Sequence, residues 1–489
     1  MRAIFLAAAT GATLLSVAVP AAANGRFPAS NQIVFSPTDP NLVVLRTSYG
    51  VLPSHDHGTT WQYICEDALG LGPTAVEDPS LGLTTHNTLI AGVSVGLDVS
   101  SDLGCNWTCE SGSLAGQSMA DIAVRPDNTL SAVALTKTFM STDSGVDIAS
   151  SQVFETNDEG VTWTAIGTPI DPTVTVQTID VAKGDPNRIY ISGTRGFGSA
   201  TTASLFVSTD KGATWSEKML PAANFDPSNE ASIFIGAVDP NDEDRVYVRS
   251  TGLITGGESR LTVVTGASTA SPQFQTAHLF NVAQKQMGVV GELLGFALSE
   301  DGSKIFIGTE ESGLWEGSAS DLTSFHALQP NLIVQCLATH GNELWVCSAA
   351  VSGFVAGVST DDGATFTPKL SLIGNLTGPI ACADNPQGAA CGTSTNSSQC
   401  VAAYQTFCEV NVCATGTTGL GKPADAGAGS SGSGTGSGSS SSSCSVPVGR
   451  GSLVNGGAAC VLGGLGLFAF GARRRRSKAP SGASSTEHR

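Results

Sequence analysis

An eight-residue pattern, S-x-D-x-G-x-T-W, recurs five times along this chain and constrains its fold more than any other feature. The cleanest copy is Ser208-Thr209-Asp210-Lys211-Gly212-Ala213-Thr214-Trp215. The stretches from Thr156 to Trp163 and from Ser54 to Trp61 match nearly as well. The copy from Ser359 to Phe366 has Phe in place of Trp, and Ser100-Ser101-Asp102-Leu103-Gly104-Cys105-Asn106-Trp107 is looser. A unit that returns at a roughly even spacing specifies an array of similar supersecondary structures.

Each copy reads as a hairpin turn followed by a strand. The Asp side chain accepts hydrogen bonds from backbone N–H groups of its own turn, and the Gly takes a positive φ. Thr and the aromatic residue then begin the next strand, where the ring buries a large apolar area. Asp56, Asp102, Asp158, Asp210 and Asp361 are therefore expected to be structural, with Trp61, Trp107, Trp163, Trp215 and Phe366 as their anchors. No copy is expected to be catalytic.

These copies resemble the Asp-box (BNR) repeats of sialidase-like and sortilin-like β-propellers, over about residues 31–370. The resemblance implies an all-β fold with a single propeller. It also implies that each box joins the third and fourth strands of a blade, away from the ligand face. It implies little about activity, because the family spans glycosidases, receptors and assembly factors.

The blades can be counted from the run before each box. An apolar strand, an Asp/Pro/Asn turn and a second apolar strand precede it, as in Gln32-Ile33-Val34-Phe35, Ser36 to Asn41, then Leu42-Val43-Val44-Leu45. The same order appears around Asp121-Ile122-Ala123-Val124 and around Gly184-Asp185-Pro186-Asn187. Two units lack a good box, one around Asp239-Pro240-Asn241-Asp242 and one around Ser299-Glu300-Asp301-Gly302. A last unit runs from Val334 to Phe366, which makes seven. Their spacing suits four-stranded blades, and β-branched runs bounded by Gly, Pro and Asp agree with it.

The ends carry export and sorting patterns. Arg2, an apolar run from Ile4 to Val19 and Ala21-Ala22-Ala23 read as a signal peptide over residues 1–23, cut after Ala23. The propeller is expected over 24–370, followed by a Cys-rich segment over 371–413 and a Gly/Ser-rich linker over 414–443. Cys444 comes next, then an apolar stretch over 453–472 long enough to cross a bilayer as a helix, then Arg473, Arg474, Arg475 and Arg476. Residues 477–489 would form a cytoplasmic tail. Residues 444–476 resemble the MYXO-CTERM sorting signal of myxobacteria, with Ser443 where that family often has Gly. The resemblance implies cleavage by a myxosortase-like protease, display at the cell surface, and Cys444 as the anchor position. The alternative is a permanent single-span anchor.

Setting aside Arg2 and the six basic residues and one Glu beyond Arg450 leaves 17 basic residues against 41 acidic ones, net −24. That balance opposes nucleic acid and anionic lipid as partners. Ten of the 12 cysteines lie between Cys65 and Cys413, an even number for an oxidising compartment. Cys336 and Cys347 flank one hairpin turn and are expected to pair. A clamp between Cys65 and Cys105 is one possibility, with Cys109 competing for either. Cys382, Cys391, Cys400, Cys408 and Cys413 form a cluster with few apolar residues between them, so this segment is expected to fold on disulfides. Five is odd, so at least one bond must leave the cluster. No C-x-x-C spacing occurs, and no zinc site, other metal site or cofactor is expected.

Enzymatic constellations are sparse. A sialidase needs three Arg around a substrate carboxylate, and this chain has no Arg between Arg260 and Arg450. Gly25-Arg26-Phe27-Pro28 is only a loose echo of that family's Arg-Ile-Pro motif. A glycoside hydrolase working through two carboxylates, as in Asp-box xyloglucanases, stays open as the alternative, although those enzymes use two propellers. His55 and His57 flank Asp56, which its own turn occupies, so they read as surface residues. The favoured expectation is a surface-displayed binding or adhesion module for an extracellular glycan or protein. The polar segments 137–154 and 252–260 are its candidate loops.

Overall fold

The structure, a computed structural model, describes residues 29–71, 78–110, 112–141, 147–252, 257–281, 292–371 and 374–405, without 381, 383–386, 391–392, 397–399 and 402. The expected signal peptide, linker and sorting signal lie outside the described residues, as do Arg26, Cys391, Cys408, Cys413, Cys444 and Arg473 to Arg476. Among the described residues no helix is long and apolar enough to cross a membrane.

Seven antiparallel sheets follow one another in sequence, spanning 30–63, 80–109, 118–170, 174–219, 230–281, 293–329 and 336–370. Their first strands are Ser30–Phe35, Ser80–Leu83, Ser118–Val124, Val174–Val181, Glu230–Asp239, Leu293–Leu298 and Cys336–His340. Each contacts the first strand of the next sheet, and the last contacts the first, so they form an unbroken inner ring. The chain is a seven-bladed β-propeller, and the count from sequence holds. Blade one is irregular. Its strands Ser30–Phe35, Val43–Thr47 and Gly50–Ser54 form a sheet, and the short Trp61–Tyr63 adjoins it through one bridge, Val51 to Ile64.

The core follows from strand composition. The second strands, such as Val43–Thr47 and Ile189–Arg195, are almost wholly buried and read as continuous apolar runs. Sheet faces meet between blades, and each apolar cluster draws on neighbouring blades; Tyr190, Leu205, Ile233 and Val248 share one. Polar side chains of the inner strands tie blade to blade where backbones diverge. Gln32 exchanges two hydrogen bonds with the backbone of Leu81, at 3.0 and 3.1 Å. The Ile235 N–H donates to Thr178 Oγ1 at 2.8 Å, and Thr339 Oγ1 donates to the Leu298 carbonyl at 2.7 Å.

The five sequence copies fold into one hydrogen-bond pattern between third and fourth strands. The first-position hydroxyl (Ser54, Ser100, Thr156, Ser208, Ser359) donates to the Asp carboxylate at 2.7–2.9 Å. The same oxygen accepts from the Gly N–H at 2.7–2.8 Å. The residue four beyond Asp donates twice, from its N–H at 2.7–2.9 Å and its side chain at 2.6–2.7 Å. Asn106 fills this role through its amide in the looser copy. The left-handed region is needed twice, at the residue before Gly (φ 56–59°) as well as at Gly (77–104°). Trp61, Trp107 and Trp163 are buried, whereas Trp215 and Phe366 are only partly covered.

The disulfides depart from expectation. Cys336 pairs with Cys347 across the hairpin, as the spacing suggests. Cys65 does not pair with Cys105. Cys65 bonds to Cys400, and Cys105 bonds to Cys382. Cys109 is also disulfide-bonded. The Cys-rich segment folds back across blades one and two and presents its own sulfurs to both. The candidate loops change as well. Residues 137–154 lie mostly in two ten-residue strands, Ala132–Ser141 and Asp147–Thr156, and of 252–260 the two ends fall in the strands Asp242–Gly252 and Glu258–Thr265, while 253–256 lie outside the described residues.

Candidate functional site

Antiparallel order sorts the connections by end. Turns between first and second strands share one end of the ring with the five motif turns. Connections between second and third strands, and between blades, lie at the other end. The motif turns hold their residues tightly. Hydrogen bonds from the Thr214 hydroxyl and N–H hold the Asp210 carboxyl below its usual range, and the Thr365 hydroxyl leads in bringing Asp361 to about 2. Burial opposes this at Asp56, Asp102 and Asp158, and hydrogen bonds from Thr60, Asn106 and Thr162 outweigh it.

In three copies the residue before Gly pairs with the preceding blade. Glu159 pairs with His86 at 2.7 Å, and Asp362 with Lys304 at 2.9 Å. His57 pairs with Glu343 at 2.9 Å and packs edge-on to Trp345 at 5.2 Å. His57 is therefore part of the joint between blades seven and one, rather than a surface partner of the exposed His55.

The ring encloses a central cavity of about 1160 Å³. Its walls are inner-strand residues such as Ile33, Ile235, Phe296 and Leu337, and its rim includes Asp78, Glu292, Glu310 and Val351. Those rim residues belong to the connections opposite the motif turns. A shallower pocket of about 430 Å³ lies at the motif end, beside Lys183, Glu300 and His340.

Charges meet in the channel. Arg46 and Arg249 end the apolar second strands of blades one and five. Arg46 Nε donates to Asn31 Oδ1 at 2.9 Å and its Nη1 to the Pro79 carbonyl at 2.9 Å. Asn31 in turn donates to Asp78 at 2.8 Å. Arg249 lies over the Phe234 ring at 4.6 Å and donates to the Leu293 carbonyl at 2.9 Å. Burial pushes its guanidinium down to about 10, against the pull of Glu292 and Asp121.

Asp121 and Asp180 lie on the inner strands Ser118–Val124 and Val174–Val181 and are partly buried. That burial pushes both carboxyls up, Asp180 to about 6. Both bind neighbouring blades. Asp121 accepts from Ser80 Oγ at 2.8 Å and from the Ile179 N–H at 3.1 Å, and Asp180 accepts from the backbone of Val238. Arg260 is structural too. It binds the fully buried Glu230 at 3.1 Å and fastens the Ala223 carbonyl. From the sequence, none of the channel residues is assigned to a binding site, although Gln32 and Ile33 are placed in a strand and Cys336 in a disulfide. The signal was a charged residue closing a buried apolar strand, Leu45-Arg46 and Val248-Arg249.

Residues 96–290 match the family model described as Sortilin, neurotensin receptor 3, which runs from the third strand of blade two to the end of blade five. No curated protein matches the chain. Among solved structures, an ancestral GH74 enzyme is 16% identical over 73% of this chain and 46% of its own, with a TM-score of 0.47. This chain thus spans less than half of that protein. The GH74 xyloglucanase from Xanthomonas campestris is 15% identical over 75% of this chain and 66% of its own, with a TM-score of 0.33. The Cps50 (Swd1) β-propeller domain from Myceliophteria thermophila is 11% identical over 65% and 93%, with a TM-score of 0.41.

Proposed function

We propose that this protein is an exported Asp-box propeller that binds an extracellular glycan or protein without turning it over, at the channel rim opposite the motif turns. The observation that carries this reading is the use of the inner-strand carboxylates Asp121 and Asp180. Asp121 and Asp180 direct their oxygens to neighbouring blades, which suits a structural wall better than an acid/base pair. The rim offers what recognition needs: charged groups of both signs and the exposed Val351, on connections carried by a rigid ring. The disulfides support folding in an oxidising compartment. Export through residues 1–23 and display through residues 444–476, with a myxosortase-like protease, complete the proposal.

A second reading is a glycoside hydrolase. Glu292 and Glu310 share the rim with Asp78, and two carboxylates on one cavity are the minimum for that chemistry. The test is binding by the full oxidised chain to arrayed extracellular glycans and envelope proteins. Any ligand found is then measured against Val351→Asp and Arg249→Gln at the rim and Lys211→Glu at the motif end. Loss of roughly tenfold or more in affinity for the rim variants alone is expected. Loss for Lys211→Glu alone would place binding at the wrong end.

A further inference from the structure

We infer that the Cys-rich tail is a covalent clasp that closes the propeller ring. The three-stranded sheet of blade one comes entirely from the start of the ring and the sheet of blade seven entirely from its end, so neither sheet pairs strands from both. The joint between them is otherwise non-covalent. It includes the Ala29–Ala349 bridge, the Ser30 N–H to Ser348 carbonyl bond at 3.1 Å, the Ser30 Oγ to Val355 carbonyl bond at 2.6 Å, the His57–Glu343 pair, the Phe35 ring stacked on His340, and Trp61 Nε1 donating to the Lys369 carbonyl at 2.9 Å.

The tail crosses this joint. After blade seven, Leu376–Pro379 pairs in parallel with Trp61–Tyr63 and covers the open outer edge of blade one. Asn375 donates to the Thr59 carbonyl at 3.0 Å, and Tyr404 packs on Tyr63 with ring centroids 5.7 Å apart. The two disulfides then fix the crossing, with Cys400 to Cys65 in blade one and Cys382 to Cys105 in blade two. They bridge separations of 335 and 277 residues, so each spans nearly the whole ring. Any pull on the chain beyond Tyr404 reaches blades one and two through these sulfurs before it reaches Thr367–Leu370, the exposed last strand of blade seven. This inference does not depend on what the rim binds.

The test is hydrogen exchange on the full oxidised chain and on Cys65→Ser/Cys400→Ser and Cys105→Ser/Cys382→Ser. The joint amide of Ser30 is expected to exchange at least tenfold faster in each double variant, with strand Ile189–Arg195 of blade four unchanged. Faster exchange confined to the tail amides, such as Ile380, would show that the tail is a passenger and would overturn the inference. If a variant does not fold, the same amides are read on wild-type chain folded first and then reduced, with the same two outcomes.

Discussion

Trp61 and Trp215 occupy the same position in two copies of one motif, and the structure gives them unequal weight. Trp61 is fully buried where blade one meets blade seven, and its Nε1 binds the Lys369 carbonyl. Trp215 is partly exposed, and its Nε1 has no hydrogen-bond partner among the described residues. Trp61→Ala should cost about 3–5 kcal/mol, the range for emptying a large buried aromatic site. Trp61→Phe should cost only about 1–2 kcal/mol, because it loses one hydrogen bond and part of the ring. The Lys369 carbonyl stays satisfied in that variant, since Asn375 Nδ2 also donates to it at 2.6 Å. Trp215→Ala should cost about half of the Trp61→Ala loss or less, and Trp215→Phe near zero. Urea unfolding followed by far-UV circular dichroism measures each as a midpoint shift at constant slope. Equal losses for Trp61→Ala and Trp215→Ala would refute the reasoning, because the motif alone would then set the energy.

Stability should peak in mild acid. The motif carboxyls are held below their unfolded value near 3.8, so they stabilise above it, and that contribution is lost as pH falls through their lower folded values. Asp98 and Asp180 are pushed up to about 7 and about 6, so they destabilise the folded chain as pH rises from about 4 to 7. The melting temperature should therefore rise from pH 7.5 to about 4.5 and fall below about 3; a maximum at neutral pH would contradict this assignment. Cys336→Ser/Cys347→Ser opens a loop of only 11-residue separation and should cost about 3 kcal/mol, whereas loss of Cys65–Cys400 opens an effective loop of about 58 residues while Cys105–Cys382 stays intact and should cost about 4 kcal/mol in the chain-entropy account. Reversed midpoint shifts in urea would show that strain or packing dominates. Lys304→Ala should lower stability by less than about 1 kcal/mol, because Lys304 and its partner Asp362 are solvent-accessible.

The ring was legible because its signals are local. Asp, Gly and the aromatic of each copy lie within eight residues, and the turns Asp239-Pro240-Asn241-Asp242 and Ser299-Glu300-Asp301-Gly302 marked the two blades without a good copy. The double role of Ser54 and its equivalents, and of Thr60 and its equivalents, was not legible from residue type, because both read equally well as solvent-facing hydroxyls. The pairing of Cys65 and Cys105 was not legible either, since it depends on a tail more than 270 residues away returning to blades one and two. The channel charges were hidden for a related reason. Arg46 and Arg249 sit 203 positions apart and face one cavity only after the ring closes. The stretch 137–154 misled because Ser, Thr and Asp occur in paired strands as well as in loops.

The central claim is binding at the rim without chemistry. Its most direct test is product analysis on every glycan that the full oxidised chain retains, over hours and at several pH values. The account expects retention with no new reducing ends and no change in ligand size. Cleavage of a retained glycan, abolished by Glu292→Gln or Glu310→Gln with the fold intact, would contradict it and make the rim an active site.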